Sequence, residues 1–158
     1  MSPLESLTAF ITDALSASLM EGFSSRMESM KPIAAQRDMG LGQYRLAIIR
    51  YDVTLSWARF PYREQDPKLL MALLLAWLNQ EDRSLYEEIG IDTELPVFTV
   101  SMNDDGTAAI VAKLPLVEAL DLAPDGKGPI PFDGQRWRLE DAQIWIAEEA
   151  EVTSSVRP

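Results

Sequence analysis

The sequence predicts an α+β fold, a small mixed or antiparallel β-sheet packed with two main helices. Three observations carry that prediction. Residues 44–60 alternate as one long strand. Residues 67–78 form an apolar helix behind an Asp-Pro start. Residues 97–102 and 107–114 read as a hairpin around Asn103-Asp104-Asp105-Gly106. At 158 residues the chain fits one domain, expected over 1–150, with 151–158 as a flexible tail.

The elements follow in order. Ser2, Pro3 and Glu5 make a helix start, with Ser2 as the cap and Glu5 completing a capping box. Leu4, Leu7, Ile11, Ala14 and Leu15 recur at helical spacing, so this helix is expected to run to about Ser18 or Met20, before Gly22. Residues 23–42 show no clean period and contain Lys31-Pro32. They are expected to be loop, with one short edge strand around Ile33 to Arg37, where Pro32 is tolerated. In the long strand Ile49, Tyr51, Val53, Leu55 and Trp57 share one face, and Arg50, Asp52, Thr54 and Ser56 the other. Leu46 and Ile48 are apolar on that polar face. The start of the strand is therefore expected to be covered on both sides, by a helix or by a neighbouring subunit.

Asp66 caps the second helix, whose Leu69, Leu70, Leu73, Leu74, Trp77 and Leu78 surround it almost completely. It is expected to be central and buried on most sides, packed on the long strand. A further helical turn ends at Gly90. In the hairpin the Asp-Gly step is expected to supply a positive φ, and Pro96 and Pro115 to bound the strands. Residues 123–134, with three Pro and three Gly, read as loop, and residues 136–147 as late strands carrying Trp137 and Trp145.

Composition narrows the function. The chain has no Cys and no His, which removes thiol nucleophiles, thiolate or imidazole metal sites and His-based triads. Asp125-Gly126-Lys127-Gly128 follows no strand and is not a phosphate loop, and Asn103 to Gly106 lacks the spaced acids of a calcium loop. Glu87-Glu88 and Glu148-Glu149 are adjacent acids that point apart on a helix. No catalytic residue, metal or cofactor is expected. The most apolar run, residues 69–78, is too short to cross a bilayer, so no membrane partner is expected. The net charge of −11 argues against sequence-specific nucleic-acid binding. Yet the charge is uneven. Between Arg26 and Lys68 basic residues outnumber acidic ones. Arg45, Arg50, Arg59 and Arg63 in that stretch, with Leu46 and Ile48, are candidate interface residues. Trp57 and Trp77 sit in core patterns, whereas Trp137 and Trp145 are candidates for an interface.

One resemblance emerges from the order of these segments. Ser6-Leu7 and Thr12-Asp13-Ala14, residues 44–54, Leu75-Ala76-Trp77-Leu78 within 69–78, and residues 98–110 around Asn103-Asp104 together resemble the phage tail completion protein R family, the GpR-like proteins of contractile-tailed phages and related prophages. The resemblance spans about residues 6–122. It implies a structural protein, with no catalytic residues, that finishes the tail tube for head–tail joining. Its implied partners are tail-tube and neck or head-completion proteins, and its implied place is the virion tail or neck, assembled in the host cytoplasm. By further analogy with tail terminators it implies a hexameric ring with strands paired across subunits. The alternative is a bacterial or prophage adaptor or binding module of the same fold.

Overall fold

The computed structural model describes residues 2–104 and 106–140. Helix α1 (Pro3–Ala14) starts on the capping box. Ser2 Oγ accepts from the Glu5 N–H at 3.2 Å, and Glu5 Oε1 accepts from the Ser2 N–H at 2.9 Å. The helix is shorter than its periodicity predicts. Leu15 turns extended, and Ser16 caps a separate one-turn helix, α2 (Ala17–Met20), through the Leu19 N–H. A serine that can hydrogen-bond the backbone locally competes with helix continuation at that point.

The main departure from the sequence expectation is strand β1 (Phe23–Gly40), 18 residues long where a loop with one short strand was expected. Phe23, Met27, Ile33, Ala35 and Met39 are its half-buried positions, all odd-numbered. The alternation is broken where Ser29 takes a φ of 53°. Such a break in burial hides the period from a sequence reading. The strand forms because β2 (Gln43–Phe60), also 18 residues, lies beside it and supplies the pairing that local propensity does not. The two are joined through Gly40, Leu41 and Gly42, all with positive φ. The six-stranded sheet has the order β1-β2-β4-β6-β5, and β3 pairs with β4.

Residues divide into two compact units, one of Ser2–Lys31 with Arg50–Val117 and one of Pro32–Ile49 with residues 118–140. The first unit holds the helices. Tyr51, Val53, Leu55 and Trp57 of β2 are fully buried, as their alternation predicts, and the Phe23 ring lies 5.1 Å from that of Trp57. Helix α3 (Lys68–Gln80) begins with Asp66 Oδ1 accepting from the Lys68 N–H at 2.9 Å. It buries only one face, Leu70, Leu74, Trp77 and Leu78, and packs against α1, where Trp77 Nε1 donates to Ser6 Oγ at 3.2 Å. Leu73 is half-buried, and Met71 and Leu75 are exposed. The expectation of a helix buried on most sides is corrected accordingly. Helix α4 (Ser84–Ile89) ends at Gly90 in the left-handed region. Strand β3 (Val97–Met102) runs antiparallel to β4 (Ala108–Pro124), Val97 opposite Lys113 and Met102 opposite Ala108. Their turn is tied by the Asp104 carboxylate, which accepts from the N–H groups of Gly106 and Thr107 at 2.8 Å each. Pro115 does not bound β4, which continues nine residues beyond it to Pro124.

In the second unit β5 (Ile130–Phe132) and β6 (Gln135–Leu139) form a hairpin that turns at Asp133-Gly134, both with positive φ, and β6 pairs with the end of β4, Leu122 opposite Leu139. Residues 123–134 are therefore not one loop. The loop proper is short and pressed onto β6. The Asp125 N–H donates to the Arg136 carbonyl at 3.1 Å, and a Cβ at Gly128 would collide with the Trp137 carbonyl.

The one-sided burial of α3 yields a direct check. Leu74→Ala should lower unfolding stability in denaturant titrations by about 2–5 kcal/mol, the cost of a core cavity. Leu75→Ala, on the exposed face, should change it by less than about 0.5 kcal/mol. Equal losses at the two positions would refute the assignment of the buried face.

Candidate functional site

The candidate interface residues divide sharply by burial. Arg45 is only 6% exposed. Its Nε donates to Asp121 Oδ1 at 2.8 Å and its Nη2 to Asp121 Oδ2 at 3.2 Å, a two-pronged pair between β2 and β4 within one unit. Ile48 is fully buried. Trp137 is buried as well, and its Nε1 donates to the Phe132 carbonyl at 2.7 Å. Phe132 lies between the rings of Tyr44 and Trp137, with centroids at 5.3 and 6.2 Å. These three side chains are buried within the chain itself, and two of them bond to partners there. A strand paired on both sides, with a covered face, buries even its arginine when a carboxylate stands opposite.

The others face outward to differing degrees. Leu46 is half-buried. Arg50 is half-buried and pairs with Glu94 at 3.0 Å and with Asp52 at 4.0 Å. Arg59 and Arg63 are exposed, and the Arg63 guanidinium stands 5.9 Å from the Tyr62 ring centre. Trp145 lies outside the described residues.

Two features were not read from the sequence. Exposed apolar side chains collect on β3, where Val97, Val100 and Met102 are open, and on the outer face of α3, where Met71 and Leu75 are open. The signal was present in both, since β3 carries no charge and α3 only Lys68. A cross-strand tie was also missed. Thr54 Oγ1 donates to Glu28 Oε1 at 2.9 Å, and this bond, followed by Arg26, holds the Glu28 carboxyl below its ordinary range. Asn103 Nδ2 donates to the Ala58 carbonyl at 2.8 Å, tying the β3–β4 turn to the end of β2.

Among the described residues no group of three or more Asp or Glu side chains is placed to hold a metal ion, and no helix is long and apolar enough to cross a membrane. What the surface offers is a strand edge, an apolar helix face and isolated cations.

The family model for P2 phage tail completion protein R (GpR) matches residues 1–141. An uncharacterized 19.2 kDa protein from the rep-hol intergenic region of Haemophilus phage HP1 is 27% identical over 154 residues, covering 96% of this chain and 90% of that one. No solved structure matches. The chain belongs to the P2 phage tail completion protein R family.

Two checks follow from the local geometry. Removing Arg45 strands a mostly buried Asp121 carboxylate, so Arg45→Ala should destabilise the fold by about 3–5 kcal/mol. The double replacement Arg45→Met with Asp121→Leu should recover most of that loss in the same unfolding assay. The Asp104 carboxyl is held below its ordinary range, first by the Gly106 N–H and then by the Thr107 N–H. A carboxylate depressed in this way adds stability above its unfolded-state value, near pH 4, and loses it as the pH falls through the lower folded value. The amide resonances of Gly106 and Thr107 should therefore shift only on acidification below about pH 4, and Asp104→Asn should remove the response.

Proposed function

We propose that this protein completes the tail tube of a contractile-tailed phage and prepares the finished tail for head–tail joining, acting as a closed ring of copies, six by analogy with tail terminators. The observation that carries this reading is the family match over residues 1–141. It is supported by the exposed apolar groups of β3 and α3, which suit contact between proteins. The protein works by shape and ordered binding, without turnover, metal or cofactor. Its partners are copies of itself, the end of the tail tube and the neck or head-completion proteins. Its place is the virion tail or neck, reached by assembly in the host cytoplasm.

Within this reading the interface residues take separate parts. Arg59 and Arg63, with the outward portion of Arg50 and with Leu46, meet the partner. Arg45, Ile48 and Trp137 hold the strands behind that surface in place. Trp145 is assigned to the contact surface as well. Exposed charge pairs set registry and encounter rate and contribute about 0–1 kcal/mol each, so apolar contact supplies most of the affinity.

Complementation tests this. A phage lacking the gene should accumulate separate heads and tails, visible by negative stain, and supplied protein should restore joined particles. Supplied protein with Arg59→Glu and Arg63→Glu together should join fewer particles while its melting temperature stays unchanged. Normal joining without the protein, or a strictly monomeric protein both alone and with tail tubes, would overturn the reading.

A further inference from the structure

Three strands end the sheet with one edge that no described residue pairs: β1, β3 and β5. Strand β5 has only three residues and contains Pro131, so it is a poor template. Strand β3 is the opposite. Its six residues, Val97–Met102, carry no charge and no proline, and Val97 and Met102 are each 67% exposed. An uncharged, β-forming, open edge of this kind recruits another strand.

The flanks of this edge specify what it accepts. Glu94 precedes β3 and Asp104 follows it, so a neutral segment stands between acids. The outer strand β1 carries the inverse pattern. Pro32, Ile33, Ala34, Ala35 and Gln36 are uncharged and stand between Lys31 and Arg37. Both basic residues are exposed.

We propose that β3 of one copy adds antiparallel to the outer edge of β1 of a second copy, with Thr99 opposite Ala34. Counting outward from that pair, Lys31 stands opposite Met102, beside the turn that holds Asp104, and Arg37 opposite Pro96, two residues from Glu94, so each basic residue meets an acidic flank. Pairing of like edges is disfavoured by the same charges. Two β1 edges centred on Ala34 set Lys31 against Arg37, and two β3 edges bring Glu94 beside Asp104. The exposed Glu94–Arg50 pair rearranges readily, and Pro32 withholds one ladder donor. Because the two edges differ, the contact is head-to-tail, the kind that closes into a ring when its rotation permits. The inference names the contact between copies in the ring proposed above and rests on that reading.

The chain has no cysteine, so engineered thiols report cleanly. Directly opposite residues of an antiparallel pair have Cα atoms about 4.5–5.5 Å apart, within disulfide range. Full-length Thr99→Cys and Ala34→Cys proteins, both altered at exposed positions, are mixed under mild oxidation and run on a non-reducing gel. The mixed dimer should be the main product. Arg37→Glu introduced into the Ala34→Cys protein should lower its yield several-fold, and Glu94→Lys in the Thr99→Cys protein should restore it. A main product of Thr99→Cys homodimers, or rings that form without the mixed link, would overturn the edge pairing and leave the ring reading standing. A mixed link in a protein that restores no joined particles would overturn the tail function and leave the edge pairing standing.

Discussion

Strand β2 is the constraint on which the rest depends. It is 18 residues long and lies between β1 and β4, so both of its backbone edges are satisfied by neighbours. One face of its second half, Tyr51 to Trp57, is removed from water completely. Burying four such large side chains in a row contributes several kcal/mol, on the order of 2 kcal/mol each before entropy is counted. In the same unit the apolar face of α3 packs against α1, which buries Leu7 and Ile11, and Phe23 lies against Trp57.

The buried Arg45–Asp121 ion pair acts on register more than on net stability. Two charges taken out of water recover little from meeting each other, so Arg45–Asp121 adds less to folding than an apolar pair of similar size would. Its two-pronged geometry is nevertheless demanding. A shift of one residue between β2 and β4 would turn Arg45 or Asp121 to the wrong face and leave a charge stranded. Beside it, the Tyr44–Phe132–Trp137 aromatic cluster fixes the β5–β6 hairpin, which is too short to hold its place by backbone pairing alone.

Much of this was legible in the sequence, and the failures share a cause. The capping box of α1, the whole of β2, the Gly90 stop and the pairing of β3 with β4 follow from local chemistry that a few adjacent residues display, whereas α3 takes Pro67 rather than Asp66 as its cap and Gly106 does not adopt the positive φ expected of it. Strand β1 was not legible, because its half-buried positions are interrupted at Ser29 and its strand character comes from β2, a neighbour reached through a turn. Continuation of β4 past Pro115 escaped for the same reason. Burial was not legible where long-range pairing decides it. No property of Arg45 announces an Asp121 seventy-six positions away, and Trp137 gives no local sign that Phe132 will accept from its indole. The all-round apolar character of α3 was plain, but it was read as burial in the monomer, whereas Met71 and Leu75 stand open.

The same reasoning separates two uses of polarity in this molecule. Several charges of its basic stretch are engaged within the chain: Arg26 with Glu28, Arg45 with Asp121, Arg50 with Glu94 and Lys68 with Asp66. A net charge of −11 makes copies repel at distances up to about a Debye length, near 8 Å at physiological salt. In the proposed ring, contact between copies therefore rests on short-range, directional groups that act only after close approach. Backbone donors and acceptors on a strand edge and a neutral row of side chains are groups of that kind. An overall charge of this size resists indiscriminate clumping, and in the proposed ring it leaves association to a partner whose edge fits.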